Sequence, residues 1–117
     1  NRQYEKYLAW KSMLNYNKIV EKDILKCCKN LDDNYYNQYI KGHNNNITAI
    51  INSNIRIKKD RKRLINCWNT LYKTIEKQLY TSINIDKKKS NIKIALNNYL
   101  TTVNNNYNIF VKMDYIK

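Results

Sequence analysis

The chain has 117 residues, a net charge of +13 from 22 Lys and Arg against nine acids, and 43% apolar residues. That is room for one domain with one core, and 11 Tyr with 2 Trp exclude a disordered basic tail. Pro is absent and Gly42 is the only glycine, so the tight turns of a β-sandwich or barrel lack their usual residues and the expected fold class is all-α.

Asn, Lys, Ile and Tyr supply 66 of the 117 residues, a skew that AT-rich coding produces, so Asn runs such as Asn44 to Asn46 read as loop filler. No apolar run is long enough to cross a bilayer. Since it starts at Asn1 rather than Met, the chain (1–117) is read as a single domain cut from a longer protein.

The first segment, Arg2 to Asn30, carries Tyr7, Trp10, Met13, Leu14, Val20, Ile24, Cys27 and Cys28 at helical spacing, with Lys6, Lys11, Lys18, Lys22 and Lys26 on the other faces. One long amphipathic helix is expected. Asp32, Asp33 and Asn34 offer capping side chains. Tyr35, Tyr36, Tyr39 and Ile40 come next as a short extra helix, 33 to 41, or as the bent end of the first, and Gly42 is expected to stop it.

Residues 42 to 46, GHNNN, read as a loop, with Asn46 or Thr48 capping the next helix. Ile47, Ile50, Ile51 and Ile55 begin an apolar stripe. Leu64, Trp68, Leu71, Tyr72, Ile75 and Leu79 continue it at steps of three and four. One helix from 47 to 80 fits, and a break near Lys59 is the alternative. TSINID then reads as a loop with Asp86 as cap, and Ile92, Leu96, Tyr99, Leu100 and Val103 mark a last helix. The C-terminal YNIFVKMDYIK is too short to assign. The expected architecture is therefore a bundle of three long helices with one short extra helix.

The densest charge lies between these apolar stripes. Arg56, Lys58, Lys59, Arg61, Lys62 and Arg63 face Asp60 alone, a local charge of +5, and hold three of the four arginines in a chain whose coding disfavours Arg. A second cluster is Lys87, Lys88 and Lys89. Both are candidate partner-binding residues, since guanidinium and ammonium groups bind carboxylate or phosphate. Charge reversal at Arg61 and Arg63 is the substitution this reading singles out.

Catalytic chemistry has no pattern here. His43 is the only histidine, expected exposed in a loop, and no nucleophile and acid are spaced to join it. Cys27, Cys28, His43 and Cys67 number four, as a zinc site needs, but lack the C-x(2–4)-C spacing. Buried free thiols are expected instead, and neither metal nor cofactor is expected. Trp10 and Trp68 are assigned to the core, and Tyr35, Tyr36 and Tyr39 to the core or its edge.

The two tryptophan helices, LAWKSMLNYNKIVEKDIL and RKRLINCWNTLYKTIEKQL, and after them the lysine-rich KKKSNIKIALNNYLTTV, resemble the PHIST (RESA-type) exported helical domains of malaria parasites. The interval between the tryptophans is long for that family, and a later tryptophan is replaced at best by Tyr107. The resemblance implies a protein sent into the host red cell, where such domains bind acidic cytoplasmic tails or cytoskeletal proteins at the membrane skeleton. The functional expectation is a non-enzymatic scaffold that binds an acidic protein segment. The alternative is an RNA-binding component of a ribonucleoprotein such as a mitochondrial ribosome, where the same cations meet phosphates.

Overall fold

Trp10, Met13, Val20, Ile24, Cys27 and Cys28 all lie on one side of helix α1 (Arg2–Asn30) and are buried, as their spacing requires. In the computed structural model, which describes residues 2–112, three further helices bury a matching stripe each. These are α2 (33–54), α3 (Lys58–Tyr80) and α4 (Ile85–Lys112). The protein is an all-α bundle of four helices measuring 51 × 23 × 22 Å. No helix among the described residues is long and apolar enough to cross a membrane.

The helices run alternately up and down. On α3 and α4, Cys67 meets Thr102, Trp68 meets Tyr99 and Gln78 meets Asn91, so one number rises as the other falls. The same antiparallel order joins α2 to α3 through Asn44 to Trp68 and Tyr36 to Glu76, and α1 to α4 through Asn17 to Tyr99 and Cys28 to Lys89. Linkers of two to four residues enforce this topology.

At mid-height, one polar or aromatic side chain from each helix forms a belt. Trp68 Nε1–H donates to Asn44 Oδ1 at 2.8 Å, the Trp68 and Tyr99 rings meet edge to face at 5.4 Å, and the Tyr99 hydroxyl donates to Asn17 Oδ1 at 2.8 Å. Trp10 and Trp68 lie in the core, at 8% and 0% exposure.

Helix α1 ends at Leu31, whose φ of 50° is left-handed. Asp32 N–H returns to the Cys27 carbonyl and Leu31 N–H to that of Cys28, the double bond that closes a helix C-terminus. With no glycine there, the conformation costs roughly 1–2 kcal/mol. Asp32 then caps α2, its Oδ1 accepting from Asn34 N–H at 2.9 Å and Tyr35 N–H at 3.2 Å.

Helix α2 departs from the expected short helix of 33 to 41. It passes through Gly42 and the GHNNN stretch without interruption, so residues 42 to 46 are helix and neither Asn46 nor Thr48 is a cap. A glycine inside a helix costs about 1 kcal/mol. Burying Tyr36, Ile40, Ile47 and Ile51, each contributing roughly 1.5–3 kcal/mol, outweighs it. Residues Tyr36–Ile40 form a π-turn in which Lys41 N–H reaches back five residues to the Tyr36 carbonyl.

The single helix expected over 47 to 80 is instead broken at residues 55–57, just ahead of the alternative break near Lys59. Ile55 and Ile57 take extended backbone angles, and the chain turns back so that Leu64, Trp68, Leu71 and Ile75 pack on the core that Ile47 and Ile51 already face. At the start of α4 the cap is Asn84, not Asp86, and α4 carries the unassigned YNIFVK on as helix; Met113 to Lys117 lie outside the described residues.

Candidate anion-binding site

The cationic run forms the joint between α2 and α3 and the first turns of α3. Arg56, Lys58, Lys59, Lys62 and Arg63 are exposed, because the buried stripe of α3 begins only at Leu64. Arg61 differs. Its Nη1 donates to the carbonyl of Ile55 at 3.3 Å, which ties the start of α3 to the end of α2. Reversing Arg61 would disturb this joint as well as the charge, so the exposed neighbours are the better probes.

Three helix starts can be compared. Asp32 caps α2 and Asn84 caps α4, the latter accepting from Asp86 N–H at 2.8 Å and Lys87 N–H at 3.3 Å. The position before α3 is Ile57, which has no side-chain acceptor. Its carbonyl takes Arg61 N–H at 2.9 Å, while the amides of the first turn meet no capping side chain; Lys58 and Lys59 belong to that turn together with Asp60, and Lys62 follows in the next. The macrodipole places positive potential where the lysines already stand, so both favour an anion.

The one carboxylate in the run, Asp60, stands 4.0 Å from Arg63. This is the only pairing of a Lys or Arg with a carboxylate among the described residues. Other acids are held by phenols: Tyr35 donates to Asp23 at 2.9 Å, Tyr36 to Glu76 at 2.8 Å and Tyr80 to Asp33 at 2.6 Å. Lys58, Lys59 and Lys62 therefore have no carboxylate partner among the described residues.

Lys87, Lys88 and Lys89 are not brought to this site. With α3 and α4 antiparallel, they lie at the other end of α3, about 33 Å from Lys58 by helical rise. Lys87 is exposed, Lys88 and Lys89 are half-buried, and the Lys89 carbonyl accepts from the Cys28 thiol at 3.8 Å.

His43 is not the exposed loop residue expected. It lies on α2 with its ring 13% exposed, facing α1. In the tautomer that carries its proton on Nε2, His43 donates to Asp23 Oδ2 at 2.7 Å and its Nδ1 accepts from the Tyr16 hydroxyl at 2.7 Å. Asn46 Nδ2 donates to Tyr16 at 3.0 Å and Tyr35 takes the other Asp23 oxygen. Each polar end finds a partner within the network, which joins α1 to α2. Its members are 20 and 27 residues apart in the chain, and no spacing rule reveals them.

Cys27, Cys28 and Cys67 are free thiols, and with His43 engaged elsewhere the four residues do not converge. Cys27 donates to the Asp32 carbonyl at 3.5 Å and Cys67 to Thr102 at 3.7 Å. Burial pushes the Cys27 thiol up to about 11, with the neighbouring Cys28 adding to the rise, and burial raises Cys28 although Lys93 and Lys89 oppose it. Such thiols stay protonated and unreactive at neutral pH. Tyr36, expected in the core, is fully buried, while Tyr35 is half-buried and Tyr39 exposed.

Compared with known proteins, the chain matches no family model, no curated protein and no solved structure.

Proposed function

We propose that the chain is a non-enzymatic interaction domain whose α3 head captures an acidic, extended polypeptide segment. The observation that carries this reading is the uncapped start of α3, set among five exposed cations with a single carboxylate for partner. Carboxylates of a bound segment would take both the free amides and the ammonium groups. Ile57 stands 64% exposed in the middle of the cations and offers a peptide an apolar contact. Tyr39 and Tyr80, the exposed aromatic residues of α2 and α3, lie toward the far ends of those helices, while Tyr4, 56% exposed, stands near the start of α1 at the same end of the bundle as the head.

The PHIST-like order of the tryptophan helices points to the same partner chemistry. With it goes a proposed place in the parasite-modified host red cell, in the cytoplasm or at the membrane skeleton.

The test is fluorescence anisotropy of the purified domain against a Glu- and Asp-rich peptide and against a mixed-sequence RNA, each titrated from low to physiological salt. Peptide binding is expected to persist at physiological salt and RNA binding to be lost. The triple variant Lys58→Glu, Lys59→Glu, Lys62→Glu turns the head from +5 to −1 and should weaken peptide binding about tenfold or more with helicity unchanged. Unchanged affinity in that variant would remove the head from consideration. RNA binding that survives with a steep log–log salt slope would replace this reading with a ribonucleoprotein one.

A further inference from the structure

A cleft of about 360 Å³ lies between α1 and α4, on the seam away from α3. Asn17 forms part of its wall and is only 2% exposed. Tyr99 holds its Oδ1, and its Nδ2 is a buried donor with no partner. Buried donors are nearly always satisfied, so an unpaired one beside a cleft calls for an acceptor to be brought in.

The surrounding residues narrow what that acceptor is. Lys11 and Lys18, two helical turns apart, and Glu21 on the same wall give the cleft a charge of +1. Leu14, Leu100 and Val103 contribute apolar surface. Lys11 donates to the Tyr7 hydroxyl at 3.3 Å, a neutral partner that leaves its charge uncompensated. A monoanion balances the cleft, whereas a phosphate dianion would overshoot it beside Glu21, and there is no arginine fork in the wall to hold phosphate.

We propose that this cleft binds a carboxylate carried on an aliphatic stem. One oxygen would accept from Asn17 Nδ2, Lys11 and Lys18 would balance the charge, and the stem would lie on the three aliphatic side chains. The same chemistry comes from two sources, a glutamate side chain of an acidic polypeptide or a free aliphatic acid. The site is separate from the α3 head and does not depend on it.

The experiment is amide NMR of the labelled domain titrated with a capped Gly-Glu-Gly peptide, with hexanoate and with inorganic phosphate. A saturable shift of the Asn17 side-chain amide with the peptide or with hexanoate is expected, and the one that produces it identifies the source. Lys11→Glu with Lys18→Glu, both on exposed positions, should weaken that binding about tenfold or more. Asn17→Asp keeps an acceptor for Tyr99 but removes the free donor, and should abolish it; if that variant does not fold, the lysine pair decides. The α3 head variant should bind as the parent does, which separates failure here from failure of the head. No Asn17 shift with either carboxylate, an unaltered affinity in the lysine pair, or equal binding of phosphate would overturn the proposal.

Discussion

His43 shows how far a single side chain's role can lie from what its neighbours in the chain imply. Flanked by Gly42 and a run of asparagines, it has the local signature of a loop, yet its hydrogen bonds go to Tyr16 and Asp23 on another helix. Replacing His43 by Ala leaves the Asp23 carboxylate and the Tyr16 hydroxyl each short of a partner in half-buried surroundings. The expected cost is about 1–3 kcal/mol in a urea or guanidinium denaturation. A loss below a few tenths of a kcal/mol, as for an exposed residue, would mean that water replaces both bonds. Trp10 and Trp68 were legible for the opposite reason, because a large ring inside a regular apolar stripe has few places to go but the core.

At the scale of the element, what decided legibility was whether one periodic signal ran uninterrupted from cap to cap. Helix α1 has such a signal, and its span of Arg2–Asn30 matches the apolar positions. The stripe of α3 is equally regular. Helix α2 is hidden because its only glycine imitates a stop and its asparagines imitate a loop, while the real break at 55–57 is masked by isoleucines that keep the apolar period going. Gly42 supplies a direct check. Its φ is not positive, and a Cβ added there would meet nothing within 4 Å. Gly42→Ala should therefore stabilise the protein by about 0.5–1 kcal/mol and raise Tm. A lower Tm would indicate that α2 is interrupted at that position after all. The cap of α4 lies two residues before the one the sequence suggests, because Asn84 and Asp86 both carry acceptors and only the backbone geometry separates them.

The molecule as a whole responds to pH through phenols and thiols that burial or a carboxylate partner holds in the protonated form. Burial, and after it the bond to Asp23, pushes the Tyr35 hydroxyl up to about 12. Burial also raises Tyr36 and Tyr99, and the bond to Asp33 raises Tyr80. A group with a raised folded pKa keeps its proton in the fold after the unfolded chain has released it. Its contribution is complete below the unfolded pKa and is lost as pH rises through the folded one. The loss should begin near pH 9.0 with Cys27 and deepen above 10.0 as the tyrosines enter. Tm measured by circular dichroism from about pH 8 to about pH 11 should fall across this window, with tyrosinate absorbance rising together with unfolding. A flat Tm with freely titrating phenols would contradict the burial of Tyr36 and Tyr99.

The all-α class and the cationic surface were readable in composition, since both are properties of the whole chain and need no register. The separation of Lys87 to Lys89 from the α3 head was not, because it depends on the up-and-down order of α3 and α4. That order has a built-in gauge. The belt of Asn44, Trp68, Tyr99 and Asn17 allows each helix only one axial setting, since a slip of one turn, about 5.4 Å, would strand buried polar atoms. Four side chains thus index four helices, and the bundle is a rod with calibrated spacing between its charged ends.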